Sequence, residues 1–311
     1  MVNKFIKTVA VIVFVVFIFL TAADTFIKTC GDLSEYSAEE KLISQLNALS
    51  RALPKKTSST RIMTYNLLSD GSGFEGSYAP SRASGVCEIF DTFSPDVVGL
   101  QETSRRWFAC ILNNTDYKFI HSLRTGIFEN LTSIIYNPKT TKLIKSNEFA
   151  FENGDDSRLR RVVWGLFERK ADGKLFIVLN THLNLTNSEK TPADNSTALT
   201  QAQEIIAFCK KMKETYKCTL ILTGDFNAKQ STASSPSPVY DVIHSFFNDT
   251  KTLADKISHG ENKQTTSSYD RIFISDNSAV KNYCIISQKE LSALSDHYPV
   301  FADIEITEAS F

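Results

Sequence analysis

Polar side chains of a few chemical kinds follow short apolar runs at several places along the chain. These end residues are amides, carboxylates and imidazoles, namely Asn66, Gln101, Glu102, Asn180, His182, Asp225, Asn227, Asp296 and His297. Taken singly, each is typical of a turn, a helix cap or a hydrogen-bonded strand end. Strand ends, however, meet at one rim of a sheet, where α/β proteins commonly bind ligands. The repeated placement therefore predicts a single site.

The residue types indicate the chemistry of this site. Carboxylates and amides, without paired cysteines or an HExxH sequence, form an oxygen-rich set that suits Mg²⁺, or Mn²⁺, better than zinc. Two histidines beside a hard cation fit phosphoryl chemistry, because imidazolium groups donate hydrogen bonds to phosphate oxygens. Such a histidine needs an acidic neighbour, and Asp270 or Asp296 could supply it. The pattern predicts phosphoester hydrolysis.

The elements that must position these residues alternate along one continuous stretch. Strand-like runs are predicted at 61–67, 96–101, 133–137, 161–168, 174–183, 218–227, 270–275 and 298–306. Helices are predicted at 81–93, 104–112 and 197–213. The Ser/Pro-rich residues 231–238 indicate a surface loop, because strand signals resume after them. No linker divides the stretch, so we expect one domain.

Seven segments, taken in order, resemble the endonuclease/exonuclease/phosphatase superfamily, which includes pancreatic-type deoxyribonuclease. They are RIMTYNLL, PDVVGLQE, SIIYN, LNTHL, GDFN, DRIF and SDHYPV, and the resemblance runs from about residue 61 to residue 306. The resemblance implies an α/β fold: a four-layer α/β/β/α sandwich in which two mixed β-sheets pack face to face between flanking helices.

The resemblance also implies how a cation would be held. Glu102, assisted by Asn66, would bind a divalent cation on the substrate phosphate. Asp296 would be a carboxylate close to the metal or one that supports its ligands.

The remaining roles implied by the resemblance concern the reaction itself. Asp225 would position and deprotonate the attacking water, and Asn227 would hydrogen-bond the phosphoryl oxygens. His182 and His297 would stabilise the transition state, one of them helping the leaving group, and Asp270 would orient His297.

Two arginines are candidates for contact with substrate phosphate. Arg161 belongs to a local basic group at 158–161, and Arg271 follows Asp270 where the superfamily usually has Tyr or His. Each has an alternative: a solvated strand entry for Arg161 and a salt-bridged strand residue for Arg271.

The N-terminus predicts export. Lys4 and Lys7 precede the uncharged, largely apolar residues 8–23, which read as a signal peptide cleaved near Ala23 or as an uncleaved signal anchor. The expected organisation is signal or anchor at 1–23, a stem with an amphipathic helix (38–53) at 24–60, and the catalytic domain at 61–311. The expected location is secreted or lumenal, or alternatively membrane-anchored in type II orientation with the catalytic domain outside the cytosol.

Six cysteines and five glycosylation sequons accompany this signal. Three disulfides are allowed; a local Cys209–Cys218 bridge is feasible, and Cys87 and Cys110 lie on helices flanking one strand. The sequon at Asn184 is predicted to be unused, since a glycan there would crowd the site rim.

Charge limits the choice of function without deciding it. With 34 Lys plus Arg against 35 Asp plus Glu, the chain is no general binder of polyanions. We expect an exported, monomeric, Mg²⁺-dependent phosphodiester hydrolase acting on nucleic acid. The alternatives are a sphingomyelinase or other lipid-headgroup or inositol phosphoesterase, with membrane association through residues 8–23, and a catalytically silent binding module.

Overall fold

The computed structural model describes residues 33–69, 78–121, 131–152, 160–185, 196–260 and 269–307. The signal segment, Cys30 and the sequons at Asn130 and Asn195 lie outside these ranges. The chain divides into two compact units, Met1–Gln45 and Leu46–Phe311. Among the described helices, none has the length and apolar character needed to cross a membrane.

Thirteen strands and six α-helices are defined within the described ranges. The strands are β1 (Thr60–Asn66), β2 (Val97–Thr103), β3 (Lys118–His121), β4 (Leu131–Tyr136), β5 (Thr141–Ala150), β6 (Arg161–Arg169), β7 (Leu175–His182), β8 (Thr219–Asp225), β9 (Asn248–Asp249), β10 (Ala254–His259), β11 (Asp270–Ile274), β12 (Ala279–Ile285) and β13 (Val300–Glu305). The helices are α1 (Leu33–Ala52), α2 (Ala79–Phe93), α3 (Arg105–Asn114), α4 (Ser196–Tyr216), α5 (Pro238–His244) and α6 (Thr250–Leu253), with a 3₁₀ turn at Lys289–Ala293.

The strands form two mixed sheets. The seven-stranded sheet has the order β10-β12-β13-β1-β2-β4-β3, and the six-stranded sheet has the order β5-β6-β7-β8-β11-β9. In each sheet a parallel pair, β1 with β2 and β7 with β8, lies between antiparallel neighbours. These two parallel pairs carry most of the predicted site residues at their carboxyl ends.

Apolar side chains fill two layers. One cluster joins the facing sides of the two sheets, with Ile62 and Val97 from the first sheet and Val178 and Ile221 from the second. A second cluster lies between the six-stranded sheet and helices α4 and α5. Helix α2 covers the seven-stranded sheet, where Phe93 contacts Phe301 of β13 at 5.4 Å between ring centroids. The predicted four-layer α/β/β/α sandwich is confirmed.

A buried ion pair fixes the start of β1 to its neighbours. Arg61 donates from Nε and Nη2 to the carboxylate of Asp303 on β13, at 2.7 and 2.8 Å, and from Nη1 to the carbonyl of Phe93 at the end of α2. Asn282 of β12 donates to the same carboxylate at 2.7 Å. Because both charges are buried and fully hydrogen-bonded, removing one partner would cost about 3–5 kcal/mol.

The disulfide expectation needs correction. Cys87, Cys110, Cys209, Cys218 and Cys284 are all free thiols. Cys209 and Cys218 contribute to the apolar cluster between α4 and the six-stranded sheet, and burial raises the pKa of both. The local bridge that the sequence allowed between Cys209 and Cys218 is therefore absent, and both side chains serve as small core residues.

Candidate active site

Strand register places the predicted residues at one end of the sandwich. Asn66 of β1 pairs with Gln101 of β2, and His182 of β7 pairs with Asp225 of β8. Asp225 also pairs with Asp270 of the antiparallel strand β11. The pairings set side chains from separate segments next to one another, so the geometry of the two sheets builds the site.

Asp225 lies at the centre of this group. Its Oδ2 accepts a hydrogen bond from Asn66 Nδ2 at 3.1 Å, and its Oδ1 accepts from the backbone N–H of Asn227 at 2.9 Å. Burial and the nearby Asp270 raise the pKa of Asp225 to about 6, although His297 and the two hydrogen bonds oppose the shift. The carboxyl group therefore changes charge just below neutral pH.

Two histidines face the same oxygen of Asp225. His182 Nε2 lies 3.5 Å from Asp225 Oδ2, and His297 Nε2 lies 3.7 Å from it. Burial, and then the charges of Arg160 and His297, lower the pKa of His182 well below its ordinary value. Burial also opposes charge on His297, yet Asp270, Asp225 and Asp296 raise its pKa to about 10. At neutral pH the first imidazole is thus neutral and the second is charged.

His297 is held from two sides. Its Nδ1 lies 2.7 Å from Asp270 Oδ2, the contact expected of an orienting carboxylate. Its backbone N–H donates to Ser295 Oγ at 3.1 Å, and that hydroxyl donates to the carbonyl of Asn66 at 2.7 Å. Ser295 therefore joins the His297 loop to the end of β1.

Glu102 occupies an unusual backbone conformation at the end of β2. Its φ is +56°, and the pairing between β2 and β4 shifts register between Leu100 and Thr103. Oε1 accepts from Asn66 Nδ2 at 3.2 Å, and Oε2 accepts from the backbone N–H of Ser69 at 2.8 Å. Strained positive-φ residues cluster at functional sites, and here the conformation turns the carboxylate toward Asn66.

The side chains fit a hard divalent cation better than a soft one. Asp225 and Asp270 bring two buried carboxylates together, and burial, followed by the charge of Asp270, raises the pKa of Asp225. Glu102 lies on the other side of Asn66, whose Nδ2 donates to both Glu102 and Asp225. Asp225, Asp270 and His297 have potential ligand atoms within 4.8 Å of one another. His297 is charged at neutral pH and so has no free nitrogen lone pair for a cation, which leaves carboxylate and amide oxygens such as those of Glu102 and Asn66 as the better ligands.

Two other predicted residues occupy the edges of this group. Asp296 is exposed, and its Oδ1 lies 3.5 Å from Ser295 Oγ. Asn227 has a φ of +48° and donates from Nδ2 to the carbonyl of Leu183 at 2.9 Å. The structure thus places Asn227 next to Asp225, and Asp296 at the solvent side of His297.

A buried polar network lies beneath the site, between the two sheets. Gln101 Nε2 donates to Asn180 Oδ1 at 2.7 Å and to Thr64 Oγ1 at 3.0 Å. Asn180 donates to the carbonyl of Leu100, and Thr223 Oγ1 donates to Asn180 Oδ1. The strand-end amides Gln101 and Asn180 therefore hold the sheets together below the reacting groups.

The structure corrects the phosphate contacts considered for Arg161 and Arg271, and for Arg271 it agrees with the alternative, a salt-bridged strand residue. Arg161 is 6% exposed, with Nη1 2.9 Å from Glu148 Oε1, and Arg271 is 2% exposed, with Nη1 2.8 Å from Asp249 Oδ2. Both guanidinium groups form ion pairs within the sheet that leave them inaccessible to a substrate. Arg160 is the nearer cation, because its Nη1 lies 3.5 Å from the carbonyl oxygen of His182.

Arg82 is a supporting residue that the sequence did not single out. Its side chain is buried against Trp107 and donates to the carbonyls of Leu67, Leu68 and Leu294. It thereby joins the segment after β1 to the turn before His297. The helical pattern of α2 indicates that position 82 faces the core. It does not indicate that the arginine there would hold the backbone on both sides of the site.

Comparison with known proteins agrees with this geometry. The model of the Endonuclease/Exonuclease/phosphatase family matches residues 63–297. Tyrosyl-DNA phosphodiesterase 2 of Rattus norvegicus is 27% identical over 200 residues, which are 64% of this chain and 49% of that protein. The chain therefore spans about half the length of this curated relative.

Solved structures share the fold. An endonuclease/exonuclease/phosphatase from Bacteroides vulgatus is 25% identical, with a TM-score of 0.67 over 81% of this chain and 100% of that one. A mannosyl-6-phosphatase of Bacteroides thetaiotaomicron is 21% identical, with a TM-score of 0.64 over 79% and 99% of the two chains. Since the family model covers most of the chain, including every strand end in the site, the chain belongs to the endonuclease/exonuclease/phosphatase family of phosphoester hydrolases.

Proposed function

We propose that the chain is a phosphodiesterase that depends on a divalent cation, Mg²⁺ or Mn²⁺. The observation that carries this proposal is the position of Asp225, one oxygen of which faces a neutral and a charged histidine at 3.5 and 3.7 Å. A carboxylate base next to imidazole donors suits hydrolysis at phosphorus, because the base can accept the proton of the attacking water and the imidazoles can hydrogen-bond the developing charge.

The attacking water loses its proton to Asp225. Because the pKa of this carboxyl group is about 6, it is ionised at neutral pH and still basic enough to accept a proton. The oxygen of the water then bonds to phosphorus, and the bond between phosphorus and the leaving oxygen breaks.

The cation site supports this step. Glu102 and Asn66 would hold the ion, which when bound neutralises charge on the phosphoryl oxygens. Ser69 and the positive φ of Glu102 fix the carboxylate in place before any ligand arrives.

The two histidines have different tasks in this proposal. His297, charged and held by Asp270, donates a hydrogen bond to the phosphoryl group and supplies a proton to the leaving oxygen. His182, neutral and buried, donates a hydrogen bond without adding charge. Asn227 lies beside Asp225, where its side chain would hydrogen-bond a phosphoryl oxygen of the substrate.

A nucleic-acid phosphodiester is the favoured substrate class. One curated relative is named tyrosyl-DNA phosphodiesterase, and Arg160 lies at the rim beside His182, where it could contact a flanking phosphate. Export through residues 1–23 remains part of the proposal.

The test is a substrate panel with and without Mg²⁺. The chain is incubated with supercoiled DNA, RNA, an oligonucleotide with a terminal tyrosyl phosphodiester, sphingomyelin vesicles and inositol phosphates. We expect cleavage of one or more nucleic-acid substrates that EDTA stops. Cleavage of the vesicles or inositol phosphates alone would show that the substrate is a lipid headgroup or an inositol phosphate and not a nucleic acid. Inactivity on all five substrates would contradict the enzyme proposal.

A further inference from the structure

A second charged cleft lies at the opposite end of the sandwich. Its walls come from the segments that precede β1 and β2 and from those that follow β4 and β6, and it encloses about 480 Å³. Asn66 and Glu102 are at the other ends of β1 and β2, so the length of a seven-residue strand, on the order of 20 Å, separates this cleft from the candidate active site.

Five cationic side chains and one acidic side chain line the cleft. The cations are Lys55, Lys56, Lys139, Arg169 and Lys170, and the acid is Asp96. Asp96 is already neutralised, because its Oδ2 lies 2.6 Å from Lys55 Nζ and accepts from the backbone N–H of Arg61 at 2.7 Å. The other four cations therefore face the cleft with no further acid among its lining residues.

These four cations differ in how firmly they are engaged. Lys170 Nζ donates to the carbonyl of Pro138 at 2.7 Å, which leaves its charge unbalanced, and Lys56 has no side-chain partner among the described residues. Lys139 pairs with Asp116, but both side chains are more than 70% exposed, so water weakens the attraction. Arg169 is held by Asp172 and by the carbonyl of Thr57, which fixes its guanidinium at the cleft.

A buried hydroxyl group in the same cleft is an independent sign of a ligand. Ser59 lines the cleft, is 3% exposed, and its Oγ has no hydrogen-bond partner among the described residues. A buried hydroxyl without a partner is costly unless something else satisfies it. An anion bound between the lysines would bring acceptor oxygens to this wall.

We propose that this cleft binds a small oligophosphate, a compact anion with two or more phosphate groups. The volume is that of a small-molecule site, and closely spaced cations favour concentrated negative charge. Asp116 and Asp172 stand beside the cleft and would repel a phosphate backbone that continued past it. The ligand is therefore compact rather than a nucleic-acid strand.

Calorimetric titration of the full chain with pyrophosphate in EDTA tests the site. We expect saturable one-to-one binding that Lys56→Gln/Lys170→Gln weakens at least about tenfold, because two charge-assisted contacts are lost. Ser59→Ala should weaken it less, with an unchanged thermal midpoint. Lys211→Gln, on the exposed side of α4, is the matched control and should bind as the unmodified chain does.

Three results would overturn the proposal. The first is no saturation at pyrophosphate concentrations of about 10 mM, far above those a specific small-anion site needs. The second is equal binding by the double variant, which would place the anion elsewhere, including at Asp225 and its histidines. The third is tighter binding of a single-stranded oligonucleotide at the same lysines. Because the readout is binding in EDTA, its failure leaves the phosphodiesterase proposal untouched.

Discussion

Two histidines of the site face one carboxylate oxygen yet have opposite pKa shifts. Burial and nearby cations keep His182 neutral, whereas three carboxylates keep His297 charged. The difference follows from Asp270, which contacts His297 Nδ1 at 2.7 Å. The sequence indicated that both histidines lie near strand ends, and in the structure His182 ends β7 while His297 lies shortly before β13. The assignment of charge required their neighbours in space.

Asp270→Asn should lower the pKa of His297. The pKa of His297 in the folded chain, about 10, exceeds its ordinary value of 6.5. Charge on His297 therefore stabilises the fold fully below about pH 6.5, and this contribution is lost as the pH rises through about 10. NMR titration of the histidine rings in EDTA measures the change, with Asp255→Asn, an exposed residue of β10, as control. An unmoved His297 titration would show that Asp270 does not set its charge.

Glu102→Gln should weaken binding of a divalent cation at least about tenfold, because an amide oxygen replaces the charged ligand of a hard cation. The isosteric change keeps an acceptor for the backbone N–H of Ser69. Titration with Mn²⁺, followed by electron paramagnetic resonance, measures the affinity. Glu168→Gln, paired with Lys142 on the second sheet, should bind as the unmodified chain does; a Glu102 variant with equal affinity would move the cation site elsewhere.

The arginines show where residue-level prediction stopped. Arg161 was considered as a phosphate contact because it belongs to a local basic group. Successive side chains of a strand point to opposite faces of the sheet, however, so neighbouring arginines have different surroundings. Arg161 therefore turns to Glu148, while Arg160 is the residue near His182. No sequence signal predicted Asp249 as the partner of Arg271, because the pair joins β9, a strand of two residues, to β11.

At the scale of elements, sequence predicted the interior strands and missed the edges. The eight predicted runs correspond to β1, β2, β4, β6, β7, β8, β11 and β13. The four edge strands, β3, β5, β9 and β10, are short or carry mainly exposed side chains, so they have no apolar signature. β12 is also missed, because a register shift between Val280 and Asn282 interrupts its pattern.

Gly99→Ala should destabilise the fold by about 1–3 kcal/mol through overpacking. A Cβ at this position of β2 would lie 2.2 Å from Thr223 Oγ1 and 2.5 Å from Asn180 Oδ1, in the polar network between the sheets. Urea unfolding measures the loss, and Ser146→Ala on the exposed edge strand β5 is the control. An unchanged unfolding midpoint would mean that the sheets can separate without cost at this point.

For the whole molecule, overall charge has little to do with the proposed reaction. Removal of residues 1–23 would take away Lys4 and Lys7 and change the formal net charge from −1 to −3. A chain of this charge would attract phosphate through local groups, and the proposed active site and the proposed anion cleft are two such groups at opposite ends of β1 and β2. The site was predictable because most of its residues lie at or next to strand ends, whereas the second cleft was not, because its cations come from three separate segments, 55–56, 139 and 169–170.

Export is the prediction that belongs to the whole chain. Expressed with its N-terminus in a eukaryotic secretory system, the protein should appear outside the cytosol, and N-terminal sequencing should find a start near Asp24 if the signal is cleaved. Asn184 should carry no glycan, since it lies two residues after His182, where a glycan would crowd the rim of the proposed site. A purely cytosolic product would contradict the export signal.

The most direct test of the central claim is the initial rate of the Asp225→Asn variant on the best phosphodiester of the panel, with Mg²⁺. Loss of the base should lower the rate by about 10²–10⁴-fold. Circular dichroism should be unchanged, and Asp255→Asn should retain the full rate. A rate for Asp225→Asn equal to that of the unmodified chain would contradict the account, because the water would then be activated by another group.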